Sequence, residues 1–206
     1  MQNILAVLFK NESEGYQAIT ELRQIPVTDT CAIFQMVLIK RQGQTISVSD
    51  SYDSGIQAGN NAMVGGLVGG LIGILGGPIG VLLMGSYGML AGSLAGSAEA
   101  LDGAAMIEMV SGKLLDGEVA LVALTEEANE AELDARLRKF DVEIARFDAA
   151  VVAEEVEEAQ KMQKEMDKQA RRQLREVKKA ERKKNVEEKR AKIAADFDAF
   201  KKKHKS

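Results

Sequence analysis

The pattern of apolar and polar residues along the first fifty positions predicts a strand, a helix and a β-hairpin. Residues 3–9 are almost wholly apolar and are followed by polar residues, which is typical of a buried strand. Residues 12–25 carry apolar side chains at steps of three and end before Pro26, so they predict an amphipathic helix. Residues 31–40 and 45–48 are rich in strand formers and are separated by a short turn, which predicts a β-hairpin.

A similar succession returns after residue 98. It predicts a helix, a strand, a second helix and a half-exposed edge strand, over residues 99–115, 118–124, 129–140 and 142–147. Asn129 is the expected cap of the second helix. The order of elements predicts an α+β fold, a ferredoxin-like antiparallel sheet formed by residues 1–53 and 99–150.

Residues 54–98 interrupt this domain with 45 consecutive positions that carry no charged side chain. Glycine recurs there every fourth residue on both sides of Pro78, so each arm of a helical hairpin would have one face without side chains. Such faces allow helices to pack backbone to backbone. The sequence therefore predicts an inserted glycine zipper for helix packing and oligomerisation, whose residues are Gly65, Gly69, Gly73, Gly77, Gly88, Gly92 and Gly96.

Two locations for this hairpin stay open. Residues 78–98 are long enough to span a bilayer, which needs about 20 apolar residues, but residues 62–75 are short. Acidic Asp53 and Glu99 flank the segment, where basic residues are expected on the cytoplasmic side of a membrane. The hairpin is either inserted in the cytoplasmic membrane or buried between the subunits of a soluble cytoplasmic oligomer.

Residues 151–206 predict one long amphipathic or coiled-coil helix, with apolar residues at steps of three and four and no proline or glycine. Charge divides the chain at about the same place. Residues 1–160 contain 9 Lys and Arg against 23 Asp and Glu, whereas residues 161–206 contain 18 against 8. The chain therefore combines an acidic body with a basic tail.

The tail has a cluster of cations that predicts contact with an anionic surface: Arg171, Arg172, Arg175, Lys178, Lys179, Arg182, Lys183 and Lys184. The alternatives are a solvated helix, the inner leaflet of a membrane, and the acidic surface of a neighbouring subunit or partner protein. Nucleic acid is disfavoured, because no aromatic residues are interleaved with the cations.

The chain resembles a known family in the order of these parts. An N-I-L-A-V-L-F strand, the segment GGLVGGLIGILGGPIGVLLMGSYGMLAGSLAG and the strand EVALVALTEE are similar to the bacterial proteins with domain of unknown function 1269. The resemblance covers about residues 1–150 and implies a predicted membrane protein without established enzymatic residues. It does not extend to the basic helix.

Candidate chemistry is sparse. The only histidine, His204, and the only cysteine, Cys31, do not suffice for a His/Cys metal site or a Cys-His nucleophile pair. Cys31 heads an apolar strand, where a buried inert thiol is expected. We therefore expect no enzyme, cofactor or metal. The sequence indicates a membrane-associated scaffold that assembles with itself on the cytoplasmic side of the membrane, or else a soluble homo-oligomeric interaction module.

Overall fold

A computed structural model describes residues 2–55, 66–81 and 106–203. Together they form an α+β fold with a five-stranded antiparallel sheet. The strands are β1 (Gln2–Phe9), β2 (Cys31–Gln42), β3 (Thr45–Asp53), β4 (Val119–Glu127) and β5 (Val142–Asp148). The helices are α1 (Glu12–Leu22), α2 (Leu67–Leu75), α3 (Met106–Lys113), α4 (Ala131–Leu137) and α5 (Ala149–Lys203).

The sheet has the order β3-β2-β4-β1-β5, so β4 and β1 lie at its centre. Both central strands are buried on both faces, which explains why their sequences are continuous apolar runs without alternation. β5 is an edge strand and all seven of its residues are half-buried, as its alternating pattern predicts. The predicted succession of strands along the chain, three before the uncharged segment and two after it, and the long C-terminal helix are confirmed.

One face of the sheet is covered by α1 and α4. Leu5, Val7 and Phe9 of β1 point to this side and join a cluster with Ile19 of α1 and Leu137 of α4. At least sixteen buried residues belong to the cluster, including Cys31, so the expected burial of this thiol is confirmed. Burial also raises the pKa of the Cys31 thiol, which makes it a poor nucleophile at neutral pH.

The other face is covered by α2, which belongs to the inserted segment, and by the first turns of α5. α2 contacts β2, β4 and α3, and the first turns of α5 pack nearby through Val152 and Val156, which are 0% and 6% exposed. The neighbouring residues Ile4 and Ala6 of β1 are also fully buried. The sheet is therefore the middle layer of three, with helices on both faces.

Several helix and strand boundaries in the structure differ from the predicted ones. The first helix ends at Leu22 rather than residue 25, and the second strand of the hairpin extends from Thr45 to Asp53 rather than ending at residue 48. The turn between β2 and β3 has Gly43 at φ 63°, a value that suits the two-residue hairpin loop between Gln42 and Thr45. Residues 99–105 of the predicted helix 99–115 lie outside the described residues.

The predicted helix 129–140 is shorter in the structure, at Ala131–Leu137. Asn129 still contributes, because its side-chain oxygen accepts a hydrogen bond from the Ala131 N–H at 2.9 Å. It lies one residue before the cap position, Glu130, whose side chain makes no capping bond.

By its contacts the chain divides into residues 1–160 and residues 161–206. The first unit contains the sheet, α1–α4 and the start of α5. The second consists of the remainder of the chain, which is helical as far as Lys203.

Candidate functional site

Helix α2 has a buried face and a glycine face. Its large side chains point toward the sheet and are 0–4% exposed: Leu67, Val68, Leu71, Ile74 and Leu75. Gly66, Gly69 and Gly73 lie on the opposite side and are exposed. A Cβ atom built at any of these three glycines meets no described atom within 4 Å. The glycine face is therefore an open surface among the residues that the structure describes.

The predicted zipper residues fall at different places. Gly69 and Gly73 belong to the glycine face of α2, and Gly77 lies in the bend that follows the helix. The helical path resumes at Pro78, so the predicted break at Gly77-Pro78 is confirmed. Gly65, Gly88, Gly92 and Gly96 lie outside the described residues.

Two glycines off the predicted stripe make the close contacts of α2. A Cβ at Gly70 would lie 3.0 Å from Val156 Cγ1 of α5, and one at Gly76 would lie 3.2 Å from the Ile46 carbonyl oxygen of β3. These positions let the helix approach its own domain. Gly69 and Gly73, at the step of four, make no such contact among the described residues.

Glu155 of α5 meets the start of α3. Its Oε1 atom accepts a hydrogen bond from the Met106 N–H at 3.4 Å, while its Oε2 atom is buried without a described hydrogen-bond partner. Burial raises the pKa of the Glu155 carboxyl above its usual range, and the nearby Glu108 adds to the rise, against the opposing backbone N–H groups of Met106 and Ile107.

We expect Glu155→Gln to stabilise the protein at neutral pH. A carboxyl whose pKa is raised by folding holds its proton in the native state where the unfolded chain has lost it, so its contribution to stability falls as pH rises through that window. The glutamine still accepts the Met106 bond but has no charge to bury. Thermal unfolding of both proteins from pH 4 to pH 8 measures the difference, which should shrink toward acid pH; a constant difference contradicts the prediction.

A second cluster of charges ties β5 to β4 and α4. Arg146 of β5 forms ion pairs with Glu127 at 3.0 Å and Asp134 at 2.8 Å, and a longer one with Glu130. The side chain of Glu127 is 1% exposed and that of Arg146 is 12% exposed. The three carboxylates converge on one guanidinium, so the cluster ties the edge strand to β4 and α4. The sequence analysis did not predict this cluster, since an arginine in an alternating edge strand suggests a solvent-exposed side chain.

Most cations of the predicted cluster lie on one side of α5. All eight predicted residues from Arg171 to Lys184 lie on α5 and are exposed. An open depression of about 350 Å³ runs along the same surface and is lined by Lys164, Asp167, Lys168, Arg171, Arg172 and Arg175. A single helix cannot enclose a small molecule, so this depression is part of an extended surface.

Most of the cations in the acidic body, residues 1–160, are paired with carboxylates of the same part of the chain. Eight of the nine Lys and Arg in residues 1–160 form ion pairs with neighbouring carboxylates, as in Lys40–Glu12 and Arg23–Asp50, both at 2.6 Å. The positive charge that is available to a partner is therefore concentrated in the tail.

Comparison with models of protein families, with curated proteins and with solved structures found no match to this chain. In the part of the chain that the structure describes, no helix combines the length and the apolar character needed to cross a membrane.

Proposed function

We propose that this protein is a non-enzymatic, membrane-associated scaffold that assembles with itself through its glycine hairpin and touches an anionic surface with its basic helix. The observation that carries the proposal is the open glycine face of α2. Each glycine inside a helix costs about 1 kcal/mol relative to alanine. Gly69 and Gly73 make no described contact within the domain that would offset this cost. A second helix packed against these glycines would supply the stabilising contact.

The strand order supports a ferredoxin-like core for this scaffold. Without β3, the order is β2-β4-β1-β5, and the elements follow as β-α-β and β-α-β units with antiparallel neighbours. In this proposal β3 is an added edge strand, and the glycine segment is an insertion between the two units. The similarity in the order of parts to the domain of unknown function 1269 proteins belongs to the same proposal.

A soluble homo-oligomer is the second candidate, and the buried face of α2 favours it. The nine residues of α2 span about 14 Å at 1.5 Å per residue, less than half of the roughly 30 Å bilayer core. Their large side chains are occupied by the protein's own sheet. In this version the glycine faces meet between subunits, and the basic tail recruits an acidic partner protein.

Leucine at both Gly69 and Gly73 tests assembly in either version. We expect the double variant to lose the oligomer, because two isobutyl groups prevent close helix approach. The domain should stay folded, because a Cβ atom at either position meets no described atom within 4 Å. Light scattering coupled to size exclusion measures the mass, in mild detergent where needed. Gln17→Leu, which adds the same side chain to the exposed side of α1, is the matched control. An unchanged oligomer in the glycine variant refutes the zipper.

Fractionation of cells decides between the two versions. Retention in the membrane pellet through a high-salt wash and then an alkaline wash supports an inserted hairpin. Recovery in the soluble fraction from the start refutes membrane association and leaves the soluble oligomer. Release by salt alone supports peripheral attachment through the tail.

A further inference from the structure

We infer that α5 docks on an anionic phospholipid bilayer through one unbroken cationic face, with its apolar stripe turned away from the lipid. This inference rests on the proposed function for its choice of a membrane as the surface. It specifies the lipid class, the residues and the orientation of the helix, none of which follows from the glycine face.

The cationic face follows from the phase of the helix. Successive residues of an α-helix are rotated by about 100°. Between Lys161 and Arg182, an arc of about 120° contains nine positions, and every one is Lys or Arg. The arc begins with Lys161, Lys164 and Lys168, which the cation cluster predicted from the sequence does not include. At 1.5 Å per residue the face is about 33 Å long.

The opposite side of the same segment is apolar. Met162, Met166 and Val177 lie within about 40° of the direction opposite to the centre of the arc. Met162 is 60% exposed and Val177 is 57% exposed. Lys184 also lies on this side, so it does not belong to the cationic face.

Acidic residues separate the two faces. Glu165 and Glu176 lie along one border, and Asp167 and Glu181 along the other. A helix that buried its apolar stripe in an anionic bilayer would bring these carboxylates to the level of the lipid phosphates and point its cations to water. Charge complementarity therefore favours the reverse orientation, in which the cationic face meets the headgroups.

The shape of the face favours a bilayer over nucleic acid. A flat bilayer meets a straight line of cations along its whole length, whereas the groove of a duplex curves away from a straight helix. The arc contains no Asn, Gln or aromatic residue to contact or stack on bases. If the helix contacts the headgroups alone, added salt should reverse its binding to the bilayer.

The test compares two full-length variants with the same change in net charge. Lys164→Gln, Arg171→Gln and Arg175→Gln remove three cations from the centre of the arc. Gln163→Glu, Gln169→Glu and Gln173→Glu add three negative charges to the same turns outside it. Cosedimentation is measured with phosphatidylcholine vesicles that contain either about 30% phosphatidylserine or none.

We expect the first triple to lose about 100-fold in affinity for the anionic vesicles, since each cation near such a surface contributes about 1 kcal/mol and 1.4 kcal/mol is a factor of ten. The second triple should lose less than about threefold. Binding to phosphatidylcholine alone, which reports any inserted hairpin, should be the same in both variants. Equal losses in the two triples would overturn the inference, because net charge rather than the face would then govern binding.

Two further outcomes would also overturn it. A loss of affinity in the Met162→Gln, Val177→Gln variant would mean that the apolar stripe enters the bilayer. Tighter binding to a random DNA duplex than to the anionic vesicles would assign the face to nucleic acid. The oligomer mass of the Gly69 and Gly73 variant tests the proposed scaffold separately, so failure there leaves the vesicle result intact.

Discussion

Replacing Arg146 with methionine is expected to lower the free energy of unfolding by about 3–5 kcal/mol. The substitution keeps a long apolar side chain in place but leaves the Glu127 carboxylate, whose side chain is 1% exposed, without its cation. The ion pair from Asp134 to Arg146 at 2.8 Å is lost at the same time. Denaturant unfolding followed by circular dichroism measures the loss.

Arg138→Met is the matched control. Arg138 pairs with the same Asp134 at 3.2 Å, but its side chain is 75% exposed, so we expect a change below about 1 kcal/mol. Combining Arg146→Met with Glu127→Leu should recover most of the stability, because the stranded charge is then gone. Equal effects of the Arg146 and Arg138 substitutions would show that the buried cluster has no special role.

Leucine in place of Gly15 is expected to destabilise the domain by about 2–3 kcal/mol. Gly15 lies where α1 crosses the sheet, and a Cβ atom there would approach Val119 Cγ2 to 2.6 Å and Leu38 Cδ1 to 3.0 Å. Both neighbours are fully buried, so neither can move without disturbing the core. Chemical denaturation provides the measurement.

Gly69→Leu provides the comparison at a helical glycine with open surroundings. There the new side chain meets no described atom, and the helix gains about 1 kcal/mol of propensity. The Gly15 variant should therefore be the less stable of the two by several kcal/mol when both are compared as monomers. A Gly15 variant as stable as the Gly69 variant would mean that α1 shifts freely on the sheet.

Periodicity predicted the strands well because burial on both faces imposes continuous apolar runs on β1 and β4. It failed for the second half of β3, where Ser49, Asp50 and Ser51 favour a loop by propensity. Pairing with β2 holds Asp50 and Ser51 in the sheet, Ser49 is the extra residue of a β-bulge, and Asp50 is further bound by Arg23 at 2.6 Å. Tertiary contacts of this kind leave little trace in local sequence.

The sequence predicted which residue types form the candidate surfaces, but not all of the positions that belong to them. The spacing of glycines identified Gly69 and Gly73, but no local signal separates them from Gly70, whose partner Val156 lies far along the chain. Counting charges identified the tail but omitted Lys164 and Lys168 and included Lys184, since a count ignores helical phase. The Glu127–Arg146 cluster depends on a sheet order that periodicity alone does not give.

The position of β1 in the sheet has a consequence for synthesis on the ribosome. β1 ends at Phe9, yet its two neighbours are β4 and β5, so its pairing is completed only when Asp148 is available. At 5–20 residues per second, this apolar strand waits roughly 7 to 30 s for its partners. The uncharged segment emerges during the same interval. The nascent chain therefore exposes the apolar β1 and the uncharged segment together, before β4 and β5 exist to complete the sheet. During that interval other surfaces can compete with the sheet for the glycine segment.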